Sequence, residues 1–93
     1  MFKVNEYFDG KVKSIAFENE EGPATIGVMA PGEYEFGTST VEHMTVTSGV
    51  LTVFLPGETE WKNYGEGETF IVDKDTSFRV KLKEAAAYRC LYK

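Results

Sequence analysis

The chain has 93 residues, enough for one hydrophobic core but not for two, because a domain usually takes roughly 100–200 residues. Fifteen acidic and ten basic residues give a formal net charge of −5, which argues against a general affinity for nucleic acid polymers or anionic lipid, since both need a basic surface. Hydrophobic residues make up 42% of the chain and charged residues 27%, a balance typical of a globular protein. We therefore expect residues 1–93 to form a single domain.

Cysteine content and hydropathy indicate the cellular compartment in which we expect the protein. Cys90 is the only cysteine, so an internal disulfide and a cysteine-based zinc site are excluded, as is usual in a reducing compartment. No apolar run approaches the ~20 residues that span a bilayer, and residues 1–6 lack the basic start and apolar stretch of a signal peptide. We expect a cytoplasmic protein that binds no membrane. A chain this short gains stability from association, and a homodimer is expected.

Short runs of β-forming residues, each ended by a turn signal, recur along the whole chain. The turn signals are Glu21-Gly22-Pro23, Pro31-Gly32, Ser48-Gly49, Pro56-Gly57, Gly65-Glu66-Gly67 and Asp73-Lys74-Asp75. The predicted strands cover residues 11–17, 24–29, 33–36, 44–47, 50–55, 61–64, 69–72, 77–82 and 86–92. The best helix-forming stretch, residues 83–87, is too short to stand alone. Eight or nine short strands with this spacing indicate a β-sandwich or barrel.

Two segments resemble the two sequence motifs of the cupin family. Glu42 and Gly49 are separated by six residues, and Gly49 stands at a hairpin turn, as in the first motif. Gly67, the strand at 69–72 and Phe78 stand at the matching places of the second motif. The resemblance implies an all-β, cupin-type double-stranded β-helix, a jelly-roll-like barrel with little or no helix.

The chain differs from metal-binding cupins at the positions that would hold the ion. Metal-binding cupins hold their ion with three histidines and the glutamate, and the histidine positions align here near Phe36 and Thr38 and with Phe78. Only Glu42 has a ligand-type side chain, and a transition metal needs three or four N, O or S donors. We therefore expect a barrel without metal and without any other cofactor.

The whole chain is similar to the small bacterial pyrimidine/purine nucleoside phosphorylase family, which consists of single-domain cupins of about this length. The segments that carry the similarity are Asn5-Glu6-Tyr7-Phe8, residues 10–15, Gly27-Val28-Met29, Gly32-Glu33-Tyr34, Glu42, Met44-Thr45-Val46, Leu55-Pro56, Trp61 and residues 88–92. The resemblance implies that inorganic phosphate attacks the anomeric carbon of a ribonucleoside, giving α-D-ribose 1-phosphate and a free base. It also implies that both purine and pyrimidine nucleosides are accepted.

Glu42 is the best candidate for a catalytic residue. Cleavage of an N-glycosidic bond builds positive charge on the sugar, which a nearby carboxylate stabilises, and the cupin resemblance points Glu42 into the barrel. The alternative is a buried carboxylate that binds backbone donors or a neighbouring hydroxyl. His43, the only histidine, is expected on the opposite face of the strand at the surface, although a twist that turned it inward would make it a candidate general acid.

We expect the substrate-binding residues to form a slot that holds the base without hydrogen bonds to one particular edge of it. Hydrogen bonds to a base edge discriminate sharply, whereas aromatic faces accept any base. Tyr34, Phe36, Met44 and Phe78 are candidates for such a slot, and Thr38 is a candidate for a hydrogen bond to a ribose hydroxyl. The alternatives are ordinary barrel core for the first four and a strand-end cap for Thr38.

Phosphate requires positive charge or clustered backbone N–H groups. Arg79 and Arg89 are the only arginines, and we assign them to phosphate. Strand parity places both on the outside, so they would act at a barrel mouth or from a partner subunit. The alternative, which Lys11 and Lys13 share, is an ordinary solvated surface charge.

Three functions remain open on the sequence. The leading hypothesis is a metal-independent nucleoside phosphorylase that uses nucleosides and inorganic phosphate. The second is a metal-dependent cupin enzyme such as a sugar isomerase or dioxygenase, against which the missing histidines argue. The third is a non-catalytic or sugar-related small-molecule-binding cupin, because a pocket looks the same whether or not it performs a reaction.

Overall fold

The computed structural model describes residues 2–93, which form ten strands and no helix. The strands are β1 (Lys3–Tyr7), β2 (Val12–Asn19), β3 (Gly22–Met29), β4 (Gly32–Gly37), β5 (Glu42–Ser48), β6 (Leu51–Phe54), β7 (Lys62–Tyr64), β8 (Thr69–Val72), β9 (Ser77–Leu82) and β10 (Ala86–Tyr92). The all-β prediction is confirmed. Within residues 2–93 there is also no helix long and apolar enough to cross a membrane.

Two antiparallel sheets hold these strands. One has six strands in the order β1-β2-β3-β10-β5-β8, and the other has four in the order β4-β9-β6-β7. From β3 onward the chain passes repeatedly between the sheets, so strands distant in sequence become neighbours. The pairing of β10 with both β3 and β5 brings the end of the chain into the centre of the larger sheet.

The sequence patterns did not predict β1, and they placed the turn between β2 and β3 slightly too late in the chain. β1 lies at the edge of the six-stranded sheet, pairs only with β2, and leaves most of its side chains exposed. It therefore lacks the alternation of buried and exposed residues that identifies the other strands. The turn between β2 and β3 lies at residues 20–21, one to two residues before the predicted Glu21-Gly22-Pro23, because Gly22 already pairs with Asn19.

The core lies between the facing surfaces of the two sheets. Successive side chains of a strand point to opposite faces, so Phe78, Val80 and Leu82 are buried while Arg79 is exposed. The buried cluster takes residues from both sheets, namely Val12, Met29, Tyr34, Met44, Val46, Leu51, Val53, Phe70, Val72, Phe78, Val80, Leu82, Ala86, Tyr88 and Cys90.

The outer face of the six-stranded sheet is also apolar. Strand register places Val4, Ile15 and Ile26 in one row across β1, β2 and β3, and these side chains are 59%, 47% and 44% exposed. Val28 and Ile71 are exposed on the same face. A solvated sheet face normally carries polar residues, so this surface is suited to contact with another protein.

Candidate active site

A cavity of about 230 Å³, here called the inner cavity, lies between the facing sides of the two sheets. Its lining residues come from β2, β3, β5 and β10 of the larger sheet, from β4 and β9 of the smaller one, and from the β1–β2 hairpin; they are Tyr7, Phe8, Ser14, Met29, Glu35, Phe36, Gly37, Glu42, Met44, Phe78, Tyr88, Cys90 and Tyr92. The volume is slightly below the roughly 300–1,000 Å³ of typical pockets for drug-sized ligands.

Glu42 supplies a half-buried carboxylate to the inner cavity. It is the first residue of β5 and pairs with Tyr92 of β10 and Val72 of β8. The Cys90 thiol donates a hydrogen bond to Glu42 Oε1 at 3.6 Å. Burial raises the pKa of Glu42, and the thiol hydrogen bond lowers it in part. Such a carboxylate can stabilise developing positive charge or take part in proton transfer.

Hydroxyl and thiol groups surround this carboxylate. Burial raises the pKa of Tyr88 and that of Cys90 each to about 12, and it raises the pKa of Tyr92 further still. The Thr25 and Tyr92 hydroxyls share a hydrogen bond of 3.0 Å. All these groups therefore keep their protons at neutral pH and are available as hydrogen-bond donors.

Gly27 fixes the position of the Tyr88 ring. Gly27 of β3 pairs with Tyr88 of β10 and with Ser14 of β2. A Cβ atom on Gly27 would stand 2.6 Å from both Cζ and the hydroxyl oxygen of Tyr88. The ring thus lies directly over the glycine backbone, and Tyr88 reaches the inner cavity only because this position has no side chain.

The other wall of the inner cavity is aromatic. The ring centroids of Phe36 and Phe78 are 5.6 Å apart with the planes tilted by 32°, and Phe8 meets Phe36 edge to face at 5.6 Å. Met44 and Met29 add apolar surface from the opposite sheet. The cavity thus pairs an aromatic wall with a wall that carries one carboxylate and several protonated donors.

Four of the residues selected from the sequence line the inner cavity together: Glu42, Phe36, Met44 and Phe78. Tyr34 lies beside them in the core, with its ring 6.3 Å from Phe36 and its hydroxyl donating to the Ala30 carbonyl at 2.7 Å.

Thr38 lies outside the cavity lining, at the end of β4. Its hydroxyl donates to the Asp73 carbonyl at 2.7 Å and accepts from the Thr76 N–H at 3.1 Å. The hydroxyl thereby ties the end of β4 to the turn before β9, which is the strand-end role named as the alternative.

The two arginines lie on the outer faces of the sheets. Arg79 Nη1 is 3.8 Å from Glu33 Oε2, and its guanidinium carbon is 5.4 Å and 5.2 Å from the ring centroids of Phe54 and Trp61. Arg89 pairs with Thr45 on β5, and its Nη2 is 3.5 Å from the Thr45 hydroxyl. No lysine, arginine or histidine is among the described side chains that line the inner cavity.

The sequence analysis missed the donors on β10 and the two residues of the hairpin, Tyr7 and Phe8. Strand alternation already places Tyr88, Cys90 and Tyr92 on one face, but the pairing of β10 with β5 is needed to bring that face to Glu42. These two residues carry no such signal, because Tyr7 ends a strand that the patterns did not predict and Phe8 follows it.

A second depression, here called the outer groove, measures about 750 Å³ and lies on the outside of the four-stranded sheet and its edge. Its charged residues are Glu33, Lys81, Lys83 and Glu84. The Thr52 hydroxyl donates to Asn63 Oδ1 at 2.7 Å within it. Its polar groups thus already have neighbours or face water.

The inner cavity does not fit a resident metal ion. Phe36 and Phe78 stand where cupin histidines are expected, and the Thr38 hydroxyl is engaged elsewhere. Across residues 2–93, no three His, Cys, Asp or Glu side chains are grouped so that they could hold an ion.

The family model described as pyrimidine/purine nucleoside phosphorylase matches residues 2–92. The chain belongs to the pyrimidine/purine nucleoside phosphorylase family. A relative from Alcanivorax borkumensis with that name is 64% identical over 92 residues, which cover 99% of this chain and 98% of the relative. The family resemblance expected from the sequence is thus confirmed.

Solved structures confirm the fold. A Vibrio parahaemolyticus protein of unknown function superposes with a TM-score of 0.96 at 45% identity, covering 100% of this chain and 99% of that one. The cupin domain of Drosophila melanogaster CENP-C superposes with a TM-score of 0.74 at 12% identity, covering 99% of this chain and 75% of that one. At that identity the likeness concerns the fold alone, and it shows that this member of the phosphorylase family has a cupin fold.

Proposed function

We propose that the chain is a metal-independent enzyme that cleaves purine and pyrimidine ribonucleosides with inorganic phosphate. The observation that carries this proposal is the placement of Glu42, a half-buried carboxylate with a raised pKa, opposite an aromatic wall in the inner cavity. Family membership supports the same reaction. The products are the free base and α-D-ribose 1-phosphate.

The reaction replaces a C–N bond by a C–O bond. The bond between the anomeric carbon and the base nitrogen breaks, and its electron pair leaves with the base. An oxygen of hydrogen phosphate forms the new bond to the anomeric carbon, and the proton lost by phosphate balances the proton gained by the base. The ionised Glu42 carboxylate stabilises the positive charge that develops on the ribose ring.

Breadth for the base follows from the aromatic wall. Phe36 and Phe78 present ring surface and no hydrogen-bonding group, so they contact purines and pyrimidines alike. Met44 completes this surface with a flexible apolar side chain that adapts to rings of different size. Phe36, Phe78 and Met44 therefore accept both classes of base.

Phosphate recognition relies on neutral donors in this proposal. Ser14 and Tyr88 line the inner cavity, and hydroxyl groups can bind phosphate oxygens in a desolvated site. The assignment of Arg79 and Arg89 to phosphate stays a prediction, which requires one of them to reach the cavity mouth or the cavity of a second subunit.

A second candidate is a non-catalytic cupin that binds a sugar or another small molecule. One observation favours it: the described side chains of the inner cavity include no cation. A binding protein for a neutral ligand would need none.

Incubation of the purified protein with inosine or uridine separates these candidates. We expect release of free base only when phosphate is present, at a rate that excess EDTA leaves unchanged. Release that requires an added metal ion would contradict metal independence. Binding of nucleoside without any release of base would support the second candidate instead.

We also propose that the protein acts in the cytoplasm as a homodimer that is formed through the outer face of the six-stranded sheet. A two-fold pair places the same patch against itself. The row Val4, Ile15 and Ile26 supplies apolar surface to this contact, and Arg89 of β10 stands next to Ile26 in the same row.

Ile26→Glu tests this arrangement, because it would place two carboxylates in the dimer contact. We expect sedimentation equilibrium to give the mass of two chains for the natural protein and that of one chain for the variant. Ser77→Glu, an exposed position on the other sheet, is the matched control and should stay dimeric. A natural protein that sediments as a single chain would overturn the homodimer.

A further inference from the structure

The tip of the β1–β2 hairpin has an unusual backbone for the side chains that it carries. Phe8 and Asp9 have φ angles of 54° and 57°, and Gly10 follows at 83°. The Lys11 N–H donates to the Phe8 carbonyl at 3.2 Å and closes the turn. Glycine adopts this left-handed region without penalty, whereas a bulky residue such as phenylalanine is strained there.

The strained backbone holds the Phe8 ring at the rim of the inner cavity. The ring centroid is 4.9 Å from that of Tyr34 and 5.6 Å from that of Phe36. Despite these contacts Phe8 is 43% exposed, and it lines the cavity. A purely structural aromatic residue would be buried more completely, and glycine would fit the turn better.

Phe8 differs from the other two phenylalanines of the aromatic wall. Phe36 packs against Phe78, and Phe78 also packs edge to face on Phe70, with the centroids 6.1 Å apart. Phe78 is therefore held by two neighbouring rings and faces only the interior of the cavity, whereas Phe8 has accessible ring surface at the cavity mouth. Strained residues that serve a ligand are a recurrent feature of binding sites.

We propose that Phe8 is a specificity-determining residue that contacts the nucleobase at the mouth of the inner cavity. This inference rests on the proposed function and extends it to a residue outside the barrel strands. The ring contributes more contact to a two-ring purine than to a one-ring pyrimidine, because stacking increases with overlapping surface. Phe8 thereby sets the preference between the two classes of base.

Phe8→Gly is the decisive variant, because it removes the ring and relieves the strained backbone at once. The expected result is about a tenfold rise in the Kd for inosine and a smaller rise for uridine, in line with the loss of one stacking contact. The KM for phosphate and the midpoint of urea unfolding should not worsen. Phe8→Tyr keeps an aromatic ring at this position, so we expect it to bind both nucleosides as tightly as the natural protein does.

Asp9→Gly is the matched control, since it relieves the neighbouring left-handed residue and leaves the Phe8 ring in place. We expect nucleoside binding equal to that of the natural protein. Kd values for inosine and uridine, measured by calorimetry, and initial rates of base release give the two readouts.

Distinct outcomes separate this inference from the proposed function. If the natural protein neither binds nor cleaves nucleosides, both fail. If it cleaves them and Phe8→Gly binds inosine and uridine as tightly as the natural protein, the role of Phe8 is overturned while the proposed function stands. A parallel loss of phosphate affinity and stability in Phe8→Gly would also overturn it, because that result indicates a structural role.

Discussion

The inner cavity and the outer groove differ in size and in chemistry, and the two criteria point to different sites. The groove, at about 750 Å³, is roughly three times as large as the cavity, at about 230 Å³. Yet Glu42, Tyr88, Cys90 and Tyr92, whose pKa values are raised by burial, all line the cavity. Perturbed titratable groups cluster at functional sites, so the smaller site is the better candidate.

Sheet geometry explains the difference. The inner cavity lies between two facing sheets, where water is excluded and a carboxylate loses hydration. The outer groove lies on solvated strand faces, and its Lys81 ammonium rests 4.1 Å from the Trp61 ring centroid. Charges in such a place are screened by water, so the groove can hold a ligand only by weaker contacts.

The largest predicted effect comes from Glu42→Gln, which keeps the shape of the inner cavity and removes the half-buried charge of Glu42. We expect phosphate-dependent base release to fall by about 10³-fold, the order observed when one stabilising group is lost from an active site. Initial rates with inosine at saturating phosphate measure the effect.

Lys81→Gln in the outer groove is the paired control for this comparison. Turnover should stay within about twofold of that of the natural protein, because removing one solvated charge changes little. A larger loss from Lys81→Gln than from Glu42→Gln would reverse the choice of site.

The next largest effect is predicted for Gly27→Ala, which tests whether the Tyr88 ring packs directly over the Gly27 backbone beside the inner cavity. The added Cβ would collide with Tyr88 at 2.6 Å, so the ring must move. Overpacking of this kind costs about 1–3 kcal/mol of unfolding free energy. Urea denaturation measures that loss, and the displaced ring should lower turnover as well.

Gly65→Ala is the matched control, because its Cβ would meet only Glu68 Oε1 at 3.6 Å, an ordinary contact. We expect less than half the destabilisation of Gly27→Ala. Equal unfolding midpoints for the two variants would show that the Tyr88 ring is not held over Gly27.

The sequence predicted the strands that are buried on one face and missed the one that is not. Residues 77–82 alternate polar and apolar side chains, and β9 has those bounds. β1 lies at a sheet edge with a mixed pattern, so nothing in its residues separates it from a loop. The sequence analysis therefore also missed the hairpin tip that carries Phe8, because a hairpin can be recognised only when both of its strands are predicted.

Site residues could be predicted from the sequence where a motif within one segment identifies them. They could not be predicted where they meet only through the pairing of strands that are distant in sequence. The first cupin motif sufficed to select Glu42, and the motif alignment placed Phe36 and Phe78 beside it. The thiol of Cys90 reaches Glu42 only because β10 pairs with β5, with a register shift at Ala87 and Tyr88. Such a contact joins residues 48 positions apart, which periodicity along one strand does not encode.

The smallest predicted effect is on stability and follows from the raised pKa of Glu42. Below its ordinary value of 4.5, the carboxyl is protonated in both folded and unfolded chains and costs nothing. As pH rises above 4.5, the unfolded chain loses this proton first, so the folded chain binds more protons and its free energy of unfolding falls. The fall ends once pH has passed the raised pKa of the folded state.

Glu42→Gln does not titrate, so it should be more stable relative to the natural protein at pH 7 than at pH 4. Urea unfolding of both chains between pH 4 and 8 measures the difference, in which all other titrating groups cancel. Glu20→Gln, at an exposed turn position, is the matched control. A difference for Glu42→Gln that is constant with pH would mean that burial does not raise the pKa of this carboxyl. The comparison would then lose its electrostatic basis, because the inner cavity would hold a carboxylate no different from one in the outer groove.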